Sequence, residues 1–245
     1  MQPQKKAIQV LDPEFEAAIN SYADAVIEEE KEKFQPGIES FKVHADRLRD
    51  QVRTSMLRYQ QNFQKGVEAI YNWLDARKIA RPVIDEKNLV TIQSLDEFQQ
   101  QVNEGKYLHE IFGFSEDTLK TFYQAAYQMA QDKDFAKARD AFFFLVYIAP
   151  YVCDFWVGLA ISATQLKEYD TVRDATLHAL ALNPLHLDSY LNGVHIYLMF
   201  NEPELAKDLC KRGLEAVEAS SKEPWANDFT RVLKEALSII SQRGA

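Results

Sequence analysis

The sequence predicts an all-α protein: an N-terminal helical hairpin, three tandem helix pairs stacked as an α-solenoid, and a C-terminal capping helix. Three observations support this fold. Only 8 glycines and 8 prolines occur among 245 residues, too few turn-forming residues for a barrel or a sandwich. Apolar side chains recur every three or four residues through the first third of the chain, as they do in amphipathic helices. The C-terminal half then repeats with a period of 34 residues, which indicates a repeat architecture.

The charge of the chain argues against two classes of partner. Its net charge of −9 repels nucleic-acid phosphates and anionic lipid headgroups, so we expect no nucleic-acid partner and no adsorption to membranes. The longest apolar run, residues 141–150, is too short to span a bilayer as a helix, so we also expect no direct membrane insertion. The first residues lack the apolar stretch of a secretory signal, and we expect a cytoplasmic protein.

Residues 1–81 are predicted to form the hairpin. Pro13 suits the first turn of a helix. The apolar stripe that follows consists of Phe15, Ile19, Tyr22 and Val26. After a break at Pro36, a second stripe advances in nine steps from Phe41 to Leu74, which predicts one long helix. The first helix is acidic and the second is basic, so we expect them to pack antiparallel.

Residues 82–114 are predicted to form a linker with short helices, because the helical periodicity fails there. A capping box spans 94–97, and Gly105 is expected to end the short helix that this box opens. Ser115 is expected to cap the next helix. That helix begins a repeat domain predicted over residues 115–245.

The repeat is defined by residues of one kind that recur 34 positions apart. An aromatic side chain occupies the fourth position of each copy, small side chains occupy the eighth and twentieth, and proline closes the first two copies. These residues are Phe122, Trp156 and Tyr190; Ala126, Ala160 and Val194; Ala138, Val172 and Ala206; and Pro150 and Pro184. Small side chains at fixed positions let two helices approach closely, so each copy is predicted to be a helix-turn-helix unit. The pattern resembles the tetratricopeptide repeat (TPR).

The later copies depart from the TPR pattern at two positions, one of which is the last proline, replaced by Glu218. Thr176 and Cys210 stand where the first copy has the aromatic Phe142 and where an aromatic side chain is expected. After the third copy, residues 223–241 have the spacing of an amphipathic helix. Because the last repeat of a solenoid needs a cover for its apolar face, this segment is predicted to be the capping helix.

The first helix of each copy leaves one side uncovered by its partner helix, near positions 2, 5, 9 and 12 of the copy. On that side lie Lys120, Tyr123, Tyr127 and Ala130; Asp154, Val157, Ile161 and Thr164; and Asp188, Leu191, His195 and Leu198. This set is unusually apolar and aromatic for a surface in contact with water, and exposed apolar concave surfaces commonly mark binding sites. Either the face binds a partner, or another segment of the chain covers it.

Several stretches of the repeat region have a more specific sequence pattern. They are Gly-Lys-Tyr-Leu-His-Glu-Ile-Phe-Gly-Phe at 105–114, Ser-Glu-Asp-Thr-Leu at 115–119, Phe-Tyr-Gln-Ala-Ala-Tyr at 122–127, Asp-Phe-Ala-Lys-Ala-Arg-Asp-Ala-Phe-Phe-Phe-Leu at 134–145 and Phe-Trp-Val-Gly-Leu-Ala at 155–160. Through them, residues 105–220 resemble the class II chaperones of bacterial type III secretion systems, which hold translocator proteins in the cytosol.

The resemblance implies a bacterial chaperone without catalytic activity or cofactor, often a homodimer. Such a chaperone binds an extended segment of a hydrophobic secreted translocator protein in the concave groove of its repeats. By this resemblance Tyr123 and Tyr127 lie in the groove, which agrees with their repeat positions. Together with Val157, Ile161, Leu191 and Leu198 they are expected to form apolar pockets, and His195 and Gln165 are expected to bond the client backbone. Members of this family usually have only a short segment before their repeats, whereas about a hundred residues precede them here.

Other functions find less support. The carboxylate clamp of heat-shock co-chaperones needs lysine and asparagine where this chain has Tyr123 and Tyr127, and Asp188 would repel a carboxylate. An enzyme is disfavoured because no H-E-x-x-H, phosphate-loop or nucleophile-elbow motif occurs. Cys153 and Cys210 lack neighbours at metal-ligand spacing, so we expect no metal site. A regulatory or scaffolding adaptor of a secretion apparatus that acts through the hairpin stays open.

Overall fold

A computed structural model of the chain describes residues 13–35, 40–82, 100–219 and 226–243. Every regular element in these ranges is helical, and no strand occurs in them. The helices are α1 (Pro13–Lys31), α2 (Phe41–Ala76), α3 (Leu108–Ile111), α4 (Glu116–Gln131), α5 (Phe135–Ile148), α6 (Cys153–Gln165), α7 (Tyr169–Leu182), α8 (Leu187–Met199), α9 (Pro203–Ala219) and α10 (Ala226–Arg243). The predicted all-α fold is confirmed for this part of the chain.

The chain divides into two compact units, Met1–Gln61 and Asn62–Ala245. The division falls within the long helix α2, so one helix contributes to both units. The domain boundaries drawn from the sequence, with a hairpin over 1–81, a linker over 82–114 and repeats from 115, stay a prediction.

In the first unit, α1 and the beginning of α2 form the predicted antiparallel hairpin. Asp24 pairs with Arg49 at 2.5 Å, and Glu16 pairs with Arg53 farther along α2. The buried stripe of α1 consists of Ile19, Ala23 and Ile27. The prediction that Tyr22 belongs to this stripe is wrong, because Tyr22 is 56% exposed. The small Ala23 occupies the inner position instead, so the buried residues of α1 follow one another in steps of four.

In the second unit, the end of α2 packs on the first helix pair of the repeats. Ile70 and Leu74 are fully buried, and the ring of Phe63 meets that of Phe144 edge-on at 5.0 Å between centroids. Gly66 allows this approach, because a Cβ atom there would lie 2.5 Å from the carbonyl oxygen of Asp140. The end of α2 thus covers the N-terminal face of the solenoid, as a terminal cap must.

The segment before the first repeat turns at two glycines. Gly105 (φ +84°) and Gly113 (φ +67°) are left-handed, a conformation that glycine adopts without a Cβ clash. Ser115 then caps α4 as predicted, since its hydroxyl accepts a hydrogen bond of 3.2 Å from the backbone N–H of Thr118. The capping box expected at 94–97 lies outside the described residues.

The three predicted repeats form as the helix pairs α4–α5, α6–α7 and α8–α9. The second helices begin 34 residues apart, at Phe135, Tyr169 and Pro203. The small residues predicted at the helix contacts are all buried, namely Ala126, Ala160 and Val194 at the eighth position and Ala138, Val172 and Ala206 at the twentieth. The TPR interpretation is therefore confirmed by the packing as well as by the helix bounds.

The turn inside each repeat is the same in backbone detail. One residue of each turn is left-handed: Lys133 (φ +63°), Lys167 (φ +60°) and Asn201 (φ +58°). The N–H of the next residue then bonds the carbonyl oxygen five residues back, from Asp134 to Met129 at 2.9 Å, from Glu168 to Ala163 at 3.0 Å and from Glu202 to Tyr197 at 2.8 Å. This is the Schellman arrangement, which satisfies the last carbonyl groups of a helix.

The last helix, α10, covers the third repeat as the predicted capping helix. Leu233 and Ile240 are buried against it. Val232, the residue before Leu233, is 36% exposed. The inner stripe passes through Leu233, one residue later, so Val232 faces partly outward.

Candidate binding face

The face predicted from the repeat positions is present on α4, α6 and α8. We call it the A-helix face and define it by the twelve side chains at positions 2, 5, 9 and 12 of the three copies. None of the twelve is buried within the second unit. Because these positions recur with the helix pairs, they form rows along the solenoid, and such stacking builds an extended curved surface.

The first repeat contributes an aromatic pair to the A-helix face. Tyr123 is half-buried, and Tyr127 is 50% exposed. Their ring centroids lie 6.1 Å apart. Tyr123 also stacks on Phe155 of the second repeat at 5.7 Å, so this aromatic pair spans the junction of two repeats. Burial raises the pKa of the Tyr123 phenol, with a smaller contribution from the Asp154 carboxylate, so its hydroxyl stays protonated and can donate a hydrogen bond.

The second repeat continues the face with aliphatic side chains. Val157 is half-buried, and Ile161 is 46% exposed. The Thr164 hydroxyl donates to the carbonyl oxygen of Ala160 at 2.8 Å, so it is already engaged within α6. Gln165, the last residue of α6, is exposed.

A glycine sets the distance between the first and second repeats behind this face. The ring of Phe142 on α5 occupies the space that a side chain at Gly158 would need, because a Cβ atom there would lie 2.3 Å from the ring. Phe142 is itself buried. The close packing of α5 on α6 therefore depends on a large residue and a glycine that complement each other.

The third repeat mixes apolar and polar groups. Leu191 is half-buried, and His195 and Leu198 are exposed. Within the described residues, neither His195 nor Gln165 forms a side-chain hydrogen bond to another residue, so both keep donors and acceptors for a ligand. Sequence reasoning missed Met199, which is 51% exposed beside Leu198. The repeat register could have found it, since Met199 is the equivalent of Gln165.

The structure keeps all eight predicted groove residues at the surface of one helix type, but it brings only some of them into measured contact. Tyr123 and Tyr127 form a ring pair. Five of the others share the A-helix face through the repeat register, and Gln165 follows Thr164 at the end of α6. Their assignment as a client-binding site stays a proposal.

The described residues offer few groups for covalent or metal chemistry. The thiol of Cys153 donates to the carbonyl oxygen of Ala179 at 3.5 Å, and burial raises its pKa, which disfavours the thiolate. In the ranges that the structure describes, no group of three histidine, cysteine, aspartate or glutamate side chains is placed to hold a metal ion. Among the same residues, no helix combines the length and the apolar character needed to cross a membrane.

The fold, in contrast to the sequence, has counterparts among known proteins. No protein-family model and no curated protein matches the sequence. A type III secretion system complex from Aeromonas hydrophila aligns with a TM-score of 0.55 and 15% identity, over 61% of this chain and 97% of that one. PcrH of Pseudomonas aeruginosa, bound to the chaperone binding region of PopD, aligns with a TM-score of 0.50 and 16% identity, over 54% and 98%. The CopN–Scc3 complex gives 0.50 and 23%, over 63% and 94%.

The three structures are covered almost in full, whereas more than a third of this chain extends beyond each of them. At identities of 15% to 23%, the property that is shared is the fold. The resemblance to type III secretion chaperones, first drawn from the residues of the repeats, is thereby confirmed at the level of the fold. This chain has the helical repeat fold of PcrH, and 54% of its length aligns with that protein.

Proposed function

We propose that this protein is a cytoplasmic chaperone of a bacterial type III secretion system. It binds an extended segment of a hydrophobic secreted translocator protein in the groove formed by the A-helix face. The observation that carries the proposal is the set of partly exposed apolar side chains at equivalent positions of three successive repeats. PcrH, which has the same fold, forms a complex with the chaperone binding region of PopD, and this supports a client of the same kind.

The A-helix face suits a segment that is apolar and unfolded. Tyr123 and Tyr127 provide aromatic surface with hydroxyl groups, Val157 and Ile161 provide aliphatic surface, and His195 can bond a backbone that has no partner in an unfolded chain.

The mechanism is physical and needs no cofactor. A client that later inserts into a membrane carries apolar segments that aggregate when they are exposed to water. Covering one such segment keeps the client soluble and leaves the rest of its chain unfolded for export. The net charge of −9 adds repulsion between complexes, which opposes their association.

Co-expression tests the proposal. We expect secreted proteins with apolar membrane-inserting segments to become soluble, and to co-purify in a fixed ratio, when the chain is co-expressed. Tyr123→Ala combined with Tyr127→Ala should abolish both effects while helicity is retained. The matched control is Leu177→Ala combined with Leu185→Ala, which removes two exposed apolar side chains from outside the A-helix face. Equal client solubility with both double variants would contradict the assignment of the groove.

The N-terminal unit favours a second candidate function. Its hairpin belongs to a compact unit of its own and exposes large apolar side chains, among them Tyr22 and Val43. An adaptor would bind a secretion component, or a second copy of the chain, through this hairpin. Tyr22→Ala combined with Val43→Ala should then lower the mass measured by light scattering, or abolish capture of that component, without changing client solubility. An unchanged mass and an unchanged capture of the component in this variant would rule out the adaptor function.

A further inference from the structure

One row of the A-helix face carries charge, at position 2 of each repeat. In the first repeat this residue is Lys120, whose ammonium group lies 2.9 Å from a carboxylate oxygen of Asp117 and is therefore already paired. In the second and third repeats the row continues with Asp154 and Asp188, both exposed. Neither of these two carboxylates forms an ion pair with another described residue.

The acidic row lies beside the apolar rows of the same face. Asp154 precedes Val157 by three residues, and Asp188 precedes Leu191 by three, so each pair lies on one side of its helix. The electrostatic effect of Asp154 also reaches the phenol of Tyr123, on the neighbouring repeat. Unpaired negative charge therefore lies along the edge of the apolar groove that is nearest the N-termini of these helices.

The helix dipoles weaken this charge without reversing it. Each helix start carries about half a positive charge. The first five residues of α4, α6 and α8 include the acids Glu116, Asp117, Asp154 and Asp188 and the single base Lys120. The three dipoles together offset about half of the resulting negative charge. A positive ligand group is therefore attracted to this edge, and a negative one is repelled.

We infer that the groove selects client segments in which the apolar residues are accompanied by lysine or arginine on the side that meets Asp154 and Asp188. This inference rests on the proposed function and adds to it the chemistry of the client. The two carboxylates lie on the first helices of successive repeats, and an extended chain advances about 3.3 Å per residue. A client chain that runs along the groove with two basic residues a few positions apart would therefore meet both carboxylates.

The expected effect is modest, because the carboxylates are exposed. Ion pairs at protein surfaces change an equilibrium by about two- to fivefold each, so two pairs should change the affinity by about fivefold or more. The effect should shrink at high salt, since the screening length falls to about 3 Å at 1 M salt. Apolar contacts with Tyr123 and Tyr127 should not lose strength under the same conditions.

The test uses the full chain and two fluorescein-labelled peptides. Both peptides carry the same alternation of leucine and serine, and at one end they carry either two lysines three positions apart or two glutamates in their place. Affinity is measured by fluorescence anisotropy at low and high salt. The variants are Asp154→Asn with Asp188→Asn and, to reverse the charge, Asp154→Lys with Asp188→Lys. Glu215→Gln with Glu218→Gln removes two exposed acids of α9 as the control.

We expect the wild-type chain and the α9 control to bind the lysine peptide about fivefold more tightly than the glutamate peptide at low salt. The asparagine variant should lose this preference, and the lysine variant should prefer the glutamate peptide. The contrary result is that the wild type binds both peptides equally, with that binding lost only in Tyr123→Ala combined with Tyr127→Ala. This result would overturn the charge selection and leave the proposed groove standing. Binding of neither peptide would overturn both.

Discussion

Trp156 and Tyr190, the aromatic residues at the fourth position of the second and third repeats, make equivalent hydrogen bonds 34 residues apart. The indole N–H of Trp156 donates to the carbonyl oxygen of Pro150 at 2.7 Å, and the hydroxyl of Tyr190 donates to that of Pro184 at 3.0 Å. In each case the acceptor is the proline that closes the preceding repeat. Two chemically different side chains thus tie each repeat to the one before it.

This bond predicts a specific loss in Tyr190→Phe. The substitution keeps the ring and removes only the hydroxyl, so the free energy of unfolding should fall by about 1 kcal/mol, the net value of a typical hydrogen bond. Urea denaturation followed by tryptophan fluorescence measures this change, because all three tryptophans lie in the second unit. Tyr127→Phe is the control, since the ring of Tyr127 is exposed. An equal loss in both variants would show that the Pro184 contact contributes nothing.

Left-handed lysines in the repeat turns predict a gain of stability. Lys133 and Lys167 adopt φ values of +63° and +60°, where the Cβ of an L-residue is strained by about 1–2 kcal/mol. Lys133→Gly and Lys167→Gly remove that strain but add freedom to the unfolded chain. We therefore expect each variant to gain about 0.5–1 kcal/mol in free energy of unfolding.

Asn201 provides the control for this prediction. It occupies the same turn position in the third repeat with a φ of +58°, and asparagine tolerates that conformation better than lysine does. Asn201→Gly should therefore gain less than either lysine variant in the same urea titration. A ranking in which Asn201→Gly gains most would contradict backbone strain as the cause.

Replacing Gly66 by alanine, the smallest possible enlargement of this side chain, is expected to lower the stability of the protein. In Gly66→Ala the new methyl group would lie 2.4 Å from the Cβ of Phe144 and 2.5 Å from the carbonyl oxygen of Asp140. Backbone atoms cannot turn away, so the end of α2 must shift from α5, and we expect a loss of about 2 kcal/mol. Gln64→Ala, at an exposed position of the same helix, should change the free energy of unfolding little. A stable Gly66→Ala protein would show that this cap adapts freely.

Sequence periodicity was sufficient for the helices and their order, because it reflects which face of each helix is buried. The second helices at Phe135, Tyr169 and Pro203 follow from a repeat that places small residues at the same contacts each time. Periodicity fails where two neighbouring residues compete for one inner position. In α1 the sequence pattern favoured Tyr22, but the narrow contact between two helices accepts Ala23 instead.

The residues of the candidate face were predictable from the repeat register, while the packing contacts that hold them in place were not. Position numbers identify Tyr127 and Ile161 as surface residues, and both are exposed. They do not reveal that Tyr123 stacks on Phe155 or that Phe142 fills the space above Gly158. Such contacts depend on the distance between helices, which is set by the whole core rather than by a local pattern.

A cluster around Tyr151 predicts how stability changes at alkaline pH. The Tyr151 hydroxyl donates to the carboxylate of Glu116 at 3.1 Å and lies 3.3 Å from Nε2 of the buried His109. The ring of Tyr107 packs 4.5 Å away. Burial, followed by the bond to Glu116, raises the pKa of Tyr151 to about 12. The phenol is therefore held in its neutral form in the folded protein.

The sign of the effect follows from the two pKa values. The folded-state pKa of Tyr151 is about 12, above the ordinary value of 10.0, so the unfolded chain ionises first as the pH rises. The stabilisation from this group is complete below pH 10 and is lost as the pH rises toward 12. A shift of two units is worth about 2.7 kcal/mol in full, but Tyr151 is partly exposed to water, so we expect about 1 kcal/mol. Tyr151→Phe should be less stable at neutral pH and should lose less stability than the wild type between pH 10 and 12 in urea titrations. An alkaline slope that is unchanged in Tyr151→Phe would show that the hydroxyl does not titrate differently in the folded chain.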